Sequence, residues 1–198
     1  MTRTRNPKGK GARLRGEIVE AARRLLEAGG TEEAVTLRAT AREAGITAPA
    51  IYAHFADREE MVEAVIAGSF EEFSADLLAA MDGVEDPVER LRAACHAYVD
   101  YGIARPATYR VLFTRHRPTE MPTVGAAAAD IFQVLVDLLE ECTAAGSRKG
   151  GEAFDDAVTL WLGVHGLASL PPAHPRFPWP TRERLIDNLL QGSAGIVP

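Results

Sequence analysis

Residues 36–55 read TLRATAREAGITAPAIYAHF and contain two short helical segments, one on each side of Gly45. Thr36 stands where the N-cap of the first helix belongs, and Gly45 follows the last turn of that helix. Thr47 is the next N-cap candidate, and Pro49 lies in the first turn of the second helix, where its missing N–H costs nothing. Two short helices joined by a glycine-centred turn predict a helix-turn-helix, which places its second helix in the major groove of DNA.

Helical spacing of apolar residues continues on both sides of this pair, and no convincing strand interrupts it. Before the pair, apolar residues from Leu14 to Leu26 recur at helical spacing and end at a pair of glycines. After the pair, Asp57 caps a helix of roughly 25 residues, about 37 Å long. Further helices are expected at about residues 88–102, 109–113, 124–142, 154–170 and 185–190. The sequence therefore predicts an all-α protein of about nine helices without an internal repeat.

Positive charge is concentrated at the N-terminus. The formal net charge of the 198 residues is −6, yet residues 1–16 contain six basic residues and no acidic one. A basic arm with proline and glycines is typical of a disordered segment suited to a polyanion, and a solubilising tail is the alternative that composition leaves open. We expect residues 1–11 to form a disordered basic arm.

The remaining composition favours a cytoplasmic protein without catalytic or metal chemistry. Cys95 and Cys142 lie in apolar helical patterns, no secretory leader precedes them, and the apolar runs are too short to span a bilayer. Cys95 adjoins His96, but neighbours on a helix point about 100° apart, and no second pair at metal-ligand spacing accompanies them. No phosphate-cradling glycine motif, G-x-S-x-G or H-E-x-x-H occurs. The sequence therefore predicts no enzyme, no cofactor, no metal site and no membrane partner.

Several segments resemble signatures of the TetR family of bacterial transcriptional repressors. Gly45-Ile46-Thr47, Ile51-Tyr52-Ala53-His54-Phe55 and Asp57-Arg58-Glu59-Glu60-Met61 are similar to the family pattern G-V-S-x-x-x-L-Y-x-H-F-x-x-K-E-x-L, in a match that covers about residues 12–62. Residues 106–113 and 161–166 are similar to a C-terminal ligand-binding subgroup named after its W-H-G motif. The resemblance implies an all-helical homodimer in which each subunit offers one recognition helix to half of a pseudo-palindromic operator.

The resemblance assigns phosphate contacts to five residues. Thr36 and Thr47, each at the start of a helix, would present hydroxyl and amide groups to phosphates. Tyr52 and His54 would lie against the sugar-phosphate backbone, although a structural role for His54 stays open. Arg58 occupies the position of the usual phosphate-contacting lysine.

The resemblance also indicates how base pairs would be read. Arg38 falls where some family members place a base-reading side chain, and arginine can bind the O6/N7 edge of guanine with two hydrogen bonds. Ala48, Pro49 and Ala50 face the groove in the family, yet their side chains cannot hydrogen-bond a base edge. We therefore expect recognition to use Arg38, methyl contacts to thymine and DNA shape.

Aromatic and polar side chains share one face of the eighth predicted helix. Trp161 and His165 lie at i and i+4, so both rings would face the interior of the C-terminal helices. The functional interpretation is a pocket for a small apolar or aromatic effector, and the alternative is a core histidine beside a core tryptophan. Such an effector would push the far end of the long fourth helix and so respace the recognition helices of the dimer. The predicted pocket residues are Phe73, Leu77, Tyr98, Phe113, Trp161 and His165.

The opposite face of the eighth helix predicts the dimer interface, because Gly163 would allow another helix to approach closely. The predicted stripes of this four-helix interface are Leu160, Gly163, Val164 and Leu167 with Leu185, Ile186, Leu189 and Leu190.

The predicted organisation is an arm at 1–11, a DNA-binding domain at 12–57 and an effector-binding and dimerisation domain at 58–198. The predicted function is an effector-responsive DNA-binding regulator, most simply a repressor, with activation left open. A helical interaction or ligand-carrier protein whose helix-turn-helix does not read DNA is the alternative.

Overall fold

The computed structural model describes residues 10–114 and 122–197, and within these ranges the chain contains nine α-helices and one short 3-10 helix. Their bounds are α1 Lys10–Gly29, the 3-10 helix Glu32–Ala34, α2 Leu37–Glu43, α3 Ala48–Ile51, α4 Arg58–Met81, α5 Pro87–Ala104, α6 Pro106–Thr114, α7 Pro122–Ala144, α8 Ala153–Ala173 and α9 Arg182–Gly192. The predicted all-α class and number of helices are confirmed. None of the helices described here has the length and apolar character needed to cross a membrane.

The first helix begins earlier than the sequence predicts. The disordered arm was expected at residues 1–11, but α1 starts at Lys10, so the last two residues of that segment are helical. An ion pair between Arg13 and Glu17, one turn apart at 2.8 Å, supports this first part of α1. Residues 1–9 of the predicted arm lie outside the described residues.

The helix-turn-helix is formed by the caps and the turn that the sequence indicates. Thr36 Oγ1 accepts a hydrogen bond from the backbone N–H of Ala39 at 3.1 Å and so caps α2. Gly45 adopts a φ of +67°, a left-handed conformation that favours glycine, and the chain turns there. Ile51, the last residue of α3, and Phe55, which follows it, are buried in the hydrophobic core, and α3 packs against α2.

The fourth helix joins the helix-turn-helix to the rest of the molecule. The carboxylate of Asp57 accepts the backbone N–H of Glu60 at 2.8 Å and caps the helix, as predicted. Buried side chains follow one another from Met61 to Met81, first against α1 and then against α5 and α7. Helices α5 and α7 pack against α4, and α8 packs on α5 and α7. Helix α9 covers α5 and α8, and α6 packs between α1, α4 and α5.

The predicted dimer stripes are wrong in large part, because they lie in the core of a single chain. Leu160 and Val164 of α8 and Ile186 of α9 are fully buried, and Leu190 is nearly so. A Cβ on Gly163 would lie 2.4 Å from a methyl carbon of Leu189, so this glycine allows α8 and α9 of the same chain to approach each other. The leucines that α8 exposes are Leu162 and Leu170.

Candidate functional site

The exposed surface of α2 and α3 carries most of the side chains predicted to meet DNA. Arg38 is exposed on the first turn of α2, and no hydrogen bond or ion pair joins its guanidinium to another described residue. Thr47 is exposed and makes no capping bond with its side chain. Tyr52, immediately after α3, is 60% exposed. These side chains are accessible to a ligand as large as a duplex.

Other residues predicted to meet DNA differ in how far they are exposed. Pro49 is exposed, whereas Ala48 and Ala50 are half-buried and Ala48 packs against the core. His54 is also half-buried. The structure adds Arg15 to this surface, because its guanidinium lies 4.6 Å from the centre of the Phe55 ring. The sequence marked Arg15 only as part of the basic N-terminal segment, and its helical position one turn before buried Ile18 was the signal that could have placed it here.

Arg58 has structural partners that the sequence did not reveal. Its Nε donates a hydrogen bond to the carbonyl of Val35 at 2.7 Å, and its Nη2 donates to the carbonyl of Glu32. The Glu32 carboxylate lies 3.9 Å from the same guanidinium. Arg58 therefore ties the start of α4 to the segment that joins α1 to α2, and its predicted contact with a phosphate stays a prediction.

The larger of two neighbouring cavities lies between α4, α5, α6, α7 and α8 and has a volume of about 470 Å³. Tyr98, Phe113 and Trp161 of the predicted pocket are in its wall. The other described residues that line it are Phe70, Leu112, Ala128, Ala129, Ile131, Phe132, Leu135, Phe154 and Val158. This lining suits an apolar or aromatic molecule.

Two residues predicted for the pocket on α4 lie behind its wall. Phe73 is fully buried and stacks on Tyr101 with ring centres 4.5 Å apart, and Leu77 is also buried. Neither side chain is among the described residues that line the two cavities. The contribution of α4 to the larger cavity is Phe70, nearly one turn earlier. Both phenylalanines lie on the buried side of α4, and the packing of α5 and α6 decides which of them borders the cavity.

A hydrogen-bonded cluster of four side chains, here called the polar cluster, consists of Tyr98, Tyr109, Trp161 and His165. Trp161 Nε1 donates to the Tyr98 oxygen at 2.9 Å, and the hydroxyls of Tyr98 and Tyr109 are 3.2 Å apart. Tyr109 Oη lies 2.7 Å from His165 Nδ1. The predicted pair Trp161 and His165 is thus linked through two tyrosines, of which Tyr109 was missed as a site residue.

The polar cluster is uncharged at neutral pH. Burial raises the pKa of Tyr98 to about 12 and raises the pKa of Tyr109 further, because a phenolate loses its hydration there. Burial also lowers the pKa of His165 below its ordinary value, since it disfavours the imidazolium. The cluster therefore offers neutral donors and acceptors to a ligand.

The polar cluster separates the larger cavity from a smaller one of about 410 Å³. Tyr98 and Trp161 face the larger cavity, whereas Tyr109 and His165 line the smaller one together with Arg110. The sequence predicted that His165 and Trp161 line one cavity, but in the structure they line different ones. Hydrogen bonds through Tyr109 and Tyr98 link the His165 ring to the indole, in the wall that both cavities share.

Helix α6 connects both cavities to the helix-turn-helix end of the molecule. The two carboxylate oxygens of Glu27, on α1, accept the backbone N–H groups of Thr108 at 2.7 Å and Ala107 at 3.3 Å. Arg110 of α6 donates to the carbonyl of Gly30, just after α1. The first turn of α6 is therefore capped by a side chain from another part of the chain, and no local sequence signal marks such a cap.

Cys95 and His96, the pair considered as a metal site in the sequence, lie on α5. Cys95 is fully buried, and burial raises its thiol pKa to about 12. In the described ranges, no three histidine, cysteine, aspartate or glutamate side chains are grouped so that they could hold a metal ion.

Comparison with known families gives matches to both ends of the chain. Residues 18–65 match the family described as "Bacterial regulatory proteins, tetR family", and residues 91–192 match the one described as "Tetracyclin repressor-like, C-terminal domain". The C-terminal match does not test the W-H-G subgroup, which stays a prediction.

Individual relatives agree with these matches. The chain is 36% identical over 78 residues to the HTH-type transcriptional repressor KstR2 of Mycobacterium tuberculosis, an alignment that covers 39% of this chain and 38% of KstR2. The chain spans half or less of the length of the curated relatives that it matches.

Similarity of structure extends over nearly the whole chain. A protein of unknown function from Rhodococcus sp. RHA1 is 26% identical, with a TM-score of 0.81, and the superposition covers 96% of this chain and 100% of that one. AibR, crystallised in complex with isovaleryl coenzyme A and operator DNA, is 18% identical, with a TM-score of 0.67 and coverage of 93% and 100%. The likeness to AibR concerns the fold alone.

Proposed function

This chain belongs to the TetR family of bacterial regulatory proteins, and from that premise we propose that it is an effector-responsive DNA-binding transcriptional regulator. The observation that carries the proposal is an exposed helix-turn-helix joined by one continuous helix, α4, to a group of helices that encloses an apolar cavity. Repression, relieved when a small apolar or aromatic effector binds, is its simplest form. The structure of AibR, with an acyl coenzyme A and operator DNA, supports this pairing of partners.

The proposed DNA-binding unit comprises residues 12–57 and reads one half of a pseudo-palindromic operator. Arg38 reaches base edges from α2, while Thr36 and Thr47 meet phosphates at the starts of the two helices. Tyr52 contributes its exposed hydroxyl to the backbone contact. The other proposed contacts are Ala48, Pro49, Ala50, His54 and Arg58.

The proposed effector unit comprises residues 58–198 and also forms the homodimer. One recognition helix makes too few contacts for a tight site, so two subunits must present their helices to successive half-sites. We place the interface on the outward face of α8, where Leu162 is 61% exposed and Leu170 is 47% exposed, with Gly166 between them on the same face. Burial of these leucines against their symmetry mates would supply the apolar centre that a two-fold interface requires.

Release follows from a change in the spacing of the two recognition helices. An effector in the larger cavity would contact Phe70 of α4 and Phe113 of α6, the two helices that run from the cavity to the DNA-binding unit. A tilt of a few degrees over the roughly 36 Å of α4 moves its near end by an ångström or two. The effector lowers operator affinity only if it binds more tightly to the respaced conformation.

The protein acts by binding in this proposal, without catalysing a reaction and without a cofactor. A regulator of transcription works where the chromosome lies, so we place it in the bacterial cytoplasm.

A selection of duplexes from a random pool tests the DNA half of the proposal. The purified full-length protein should enrich a sequence with two inverted half-sites about one helical turn or somewhat more apart. The same sequence should occur beside the gene that encodes the protein, and Arg38→Ala should bind the enriched duplex less selectively. Enrichment of no sequence at low salt would reject DNA recognition.

A further inference from the structure

We propose that the larger cavity selects an uncharged, largely apolar effector that carries one hydroxyl group, and that the oxygen of Tyr98 binds this hydroxyl. The proposal rests on the proposed function, because it names the chemistry of the effector that the regulator would bind. It goes further by assigning the polar contact to one atom and by excluding acids.

The wall of the larger cavity requires an apolar body. All side chains that line it in the described parts of the chain are aliphatic or aromatic, and none carries a charge. An ionised carboxylate placed there would lose its hydration without gaining a cationic partner from this lining, which is a large penalty. The polar atoms of the described lining side chains are Trp161 Nε1 and Tyr98 Oη, so a neutral polar group of the effector that contacts this lining meets one of these two atoms.

Of these two atoms, the phenolic oxygen of Tyr98 is the one that retains hydrogen-bonding capacity. The indole of Trp161 has a single N–H, and it is already donated to the Tyr98 oxygen at 2.9 Å. A phenolic oxygen has one hydrogen and two lone pairs, so it can take part in three hydrogen bonds. Within the polar cluster Tyr98 uses one bond with Trp161 and one with Tyr109, which leaves a third position. The contact of Tyr98 with His165 at 3.4 Å is too long to compete with the 2.7 Å contact between His165 and Tyr109.

The character of this third position depends on which nitrogen of His165 carries the hydrogen. When Nδ1 carries it, His165 donates to Tyr109 and Tyr109 donates to Tyr98, so the hydrogen of Tyr98 is left for the cavity. When Nδ1 lacks it, Tyr109 donates to His165 and Tyr98 donates to Tyr109, so a lone pair of Tyr98 is left instead. A hydroxyl both donates and accepts, and it therefore pairs with Tyr98 in both states. An ether or a ketone pairs in only one of them.

Calorimetric titration of the full-length protein with four two-ring probes tests the selection. The probes are 2-naphthol, naphthalene, 2-methoxynaphthalene and 2-naphthoate, which share a ring system small enough for a cavity of about 470 Å³. We expect 2-naphthol to bind about tenfold more tightly than naphthalene, because one well-placed hydrogen bond contributes about that factor. We expect 2-methoxynaphthalene to lie between these two, because its ether oxygen pairs with Tyr98 in only one state of His165. We expect 2-naphthoate to bind most weakly.

Two matched variants test the assignment to Tyr98. Tyr98→Phe keeps the ring and should abolish the preference for 2-naphthol while leaving naphthalene binding within about twofold of the unaltered protein. Tyr101→Phe removes another buried hydroxyl of α5, which donates to the carbonyl of Ser69 at 3.0 Å and is not among the residues that line the cavity. This control should retain the preference. Thermal unfolding of both variants checks that they are folded, and the ranking of probes by the unaltered protein stands without them.

Several outcomes would overturn the proposal. They are tightest binding of 2-naphthoate, equal binding of the three neutral probes, binding of none of the four, and a preference for 2-naphthol that survives in folded Tyr98→Phe. Operator binding separates these failures from failure of the proposed function. If a charged molecule releases the operator, the proposed function stands and the neutral selection is wrong. If 2-naphthol binds as expected to a protein that recognises no duplex, the cavity assignment stands and the regulator is wrong.

Discussion

Replacing Arg58 by alanine should destabilise the fold, because its guanidinium holds the segment between α1 and α2. Two charge-assisted hydrogen bonds, to the carbonyls of Val35 and Glu32, would be lost. Hydrogen bonds to charged groups contribute about 1.5–3 kcal/mol each. Because the side chain is 37% exposed, water replaces part of that interaction. The lower end of that range gives about 3 kcal/mol for the two bonds. After allowance for the exposure, we expect a loss of about 2–3 kcal/mol in the free energy of unfolding.

Urea denaturation followed by circular dichroism measures this loss, and Arg38→Ala is the matched control. Arg38 is an exposed arginine of the same unit without a described partner, so its removal should change the stability by less than about 0.5 kcal/mol. The midpoint of thermal unfolding of Arg58→Ala should fall by about 4–12 °C, at about 2–4 °C per kcal/mol for a chain of this size. Arg58→Lys should lie between, because an ammonium lacks the planar fork that reaches both carbonyls. Equal stabilities of Arg58→Ala and Arg38→Ala would refute the structural role.

The same pair of variants separates the roles of the two arginines in DNA binding. Arg38→Ala should cost about 1–3 kcal/mol of operator affinity and relax specificity, since it removes a contact to base edges. If Arg58 also meets a phosphate, Arg58→Ala should weaken binding to all sequences similarly and reduce the salt slope by about one. An unchanged salt slope in the folded variant would leave Arg58 with its structural role alone.

The remaining predictions concern assembly, coupling and pH. Leu162→Glu should yield a monomer by light scattering that no longer binds the operator, whereas Leu78→Glu, at a leucine of α4 that is 54% exposed, should remain a dimer. Glu27→Gln should lower the free energy of unfolding by about 1 kcal/mol, because α6 loses a charged cap. The same variant should reduce the release of the operator by the effector in gel shifts. Glu20→Gln, on the same helix, should have neither effect. The folded-state pKa of His165 lies below its unfolded value of 6.5, so the unfolded chain binds more protons than the folded one as the pH falls from about 6.5. The free energy of unfolding should therefore decrease in this pH range. His165→Gln should reduce that decrease in denaturant titrations.

The local parts of the fold could be predicted from the sequence because their signals are local. Thr36 and Asp57 cap helices within three residues, and both caps are present. Gly45 marks the turn by a conformation that other residues rarely adopt. The family, which these same residues indicated, is confirmed.

The long-range parts could not be predicted, because they depend on which helices meet. Helix α8 is apolar around much of its circumference, so the sequence could not tell that Leu160 and Val164 face the interior while Leu162 faces outward. The choice between Phe70 and Phe73 as the cavity residue of α4 likewise depends on where α5 and α6 pack. Such information resides in pairs of elements far apart in the chain, and no single helix carries it.

The cap of α6 by Glu27 sets a condition for exchanging parts between regulators. In a chimera that joins the first 57 residues of this chain to the effector unit of another regulator, the Glu27 carboxylate would lack the backbone N–H groups of α6 that it accepts here. The reverse chimera leaves the N–H groups of Ala107 and Thr108 without their acceptor. A new DNA specificity can therefore be grafted onto this effector unit most safely by replacing α2 and α3 alone and retaining α1. In the proposed function, a change at the effector cavity would therefore reach the DNA-binding unit through the tertiary contact of α1 with α6 as well as through the covalent chain at Asp57.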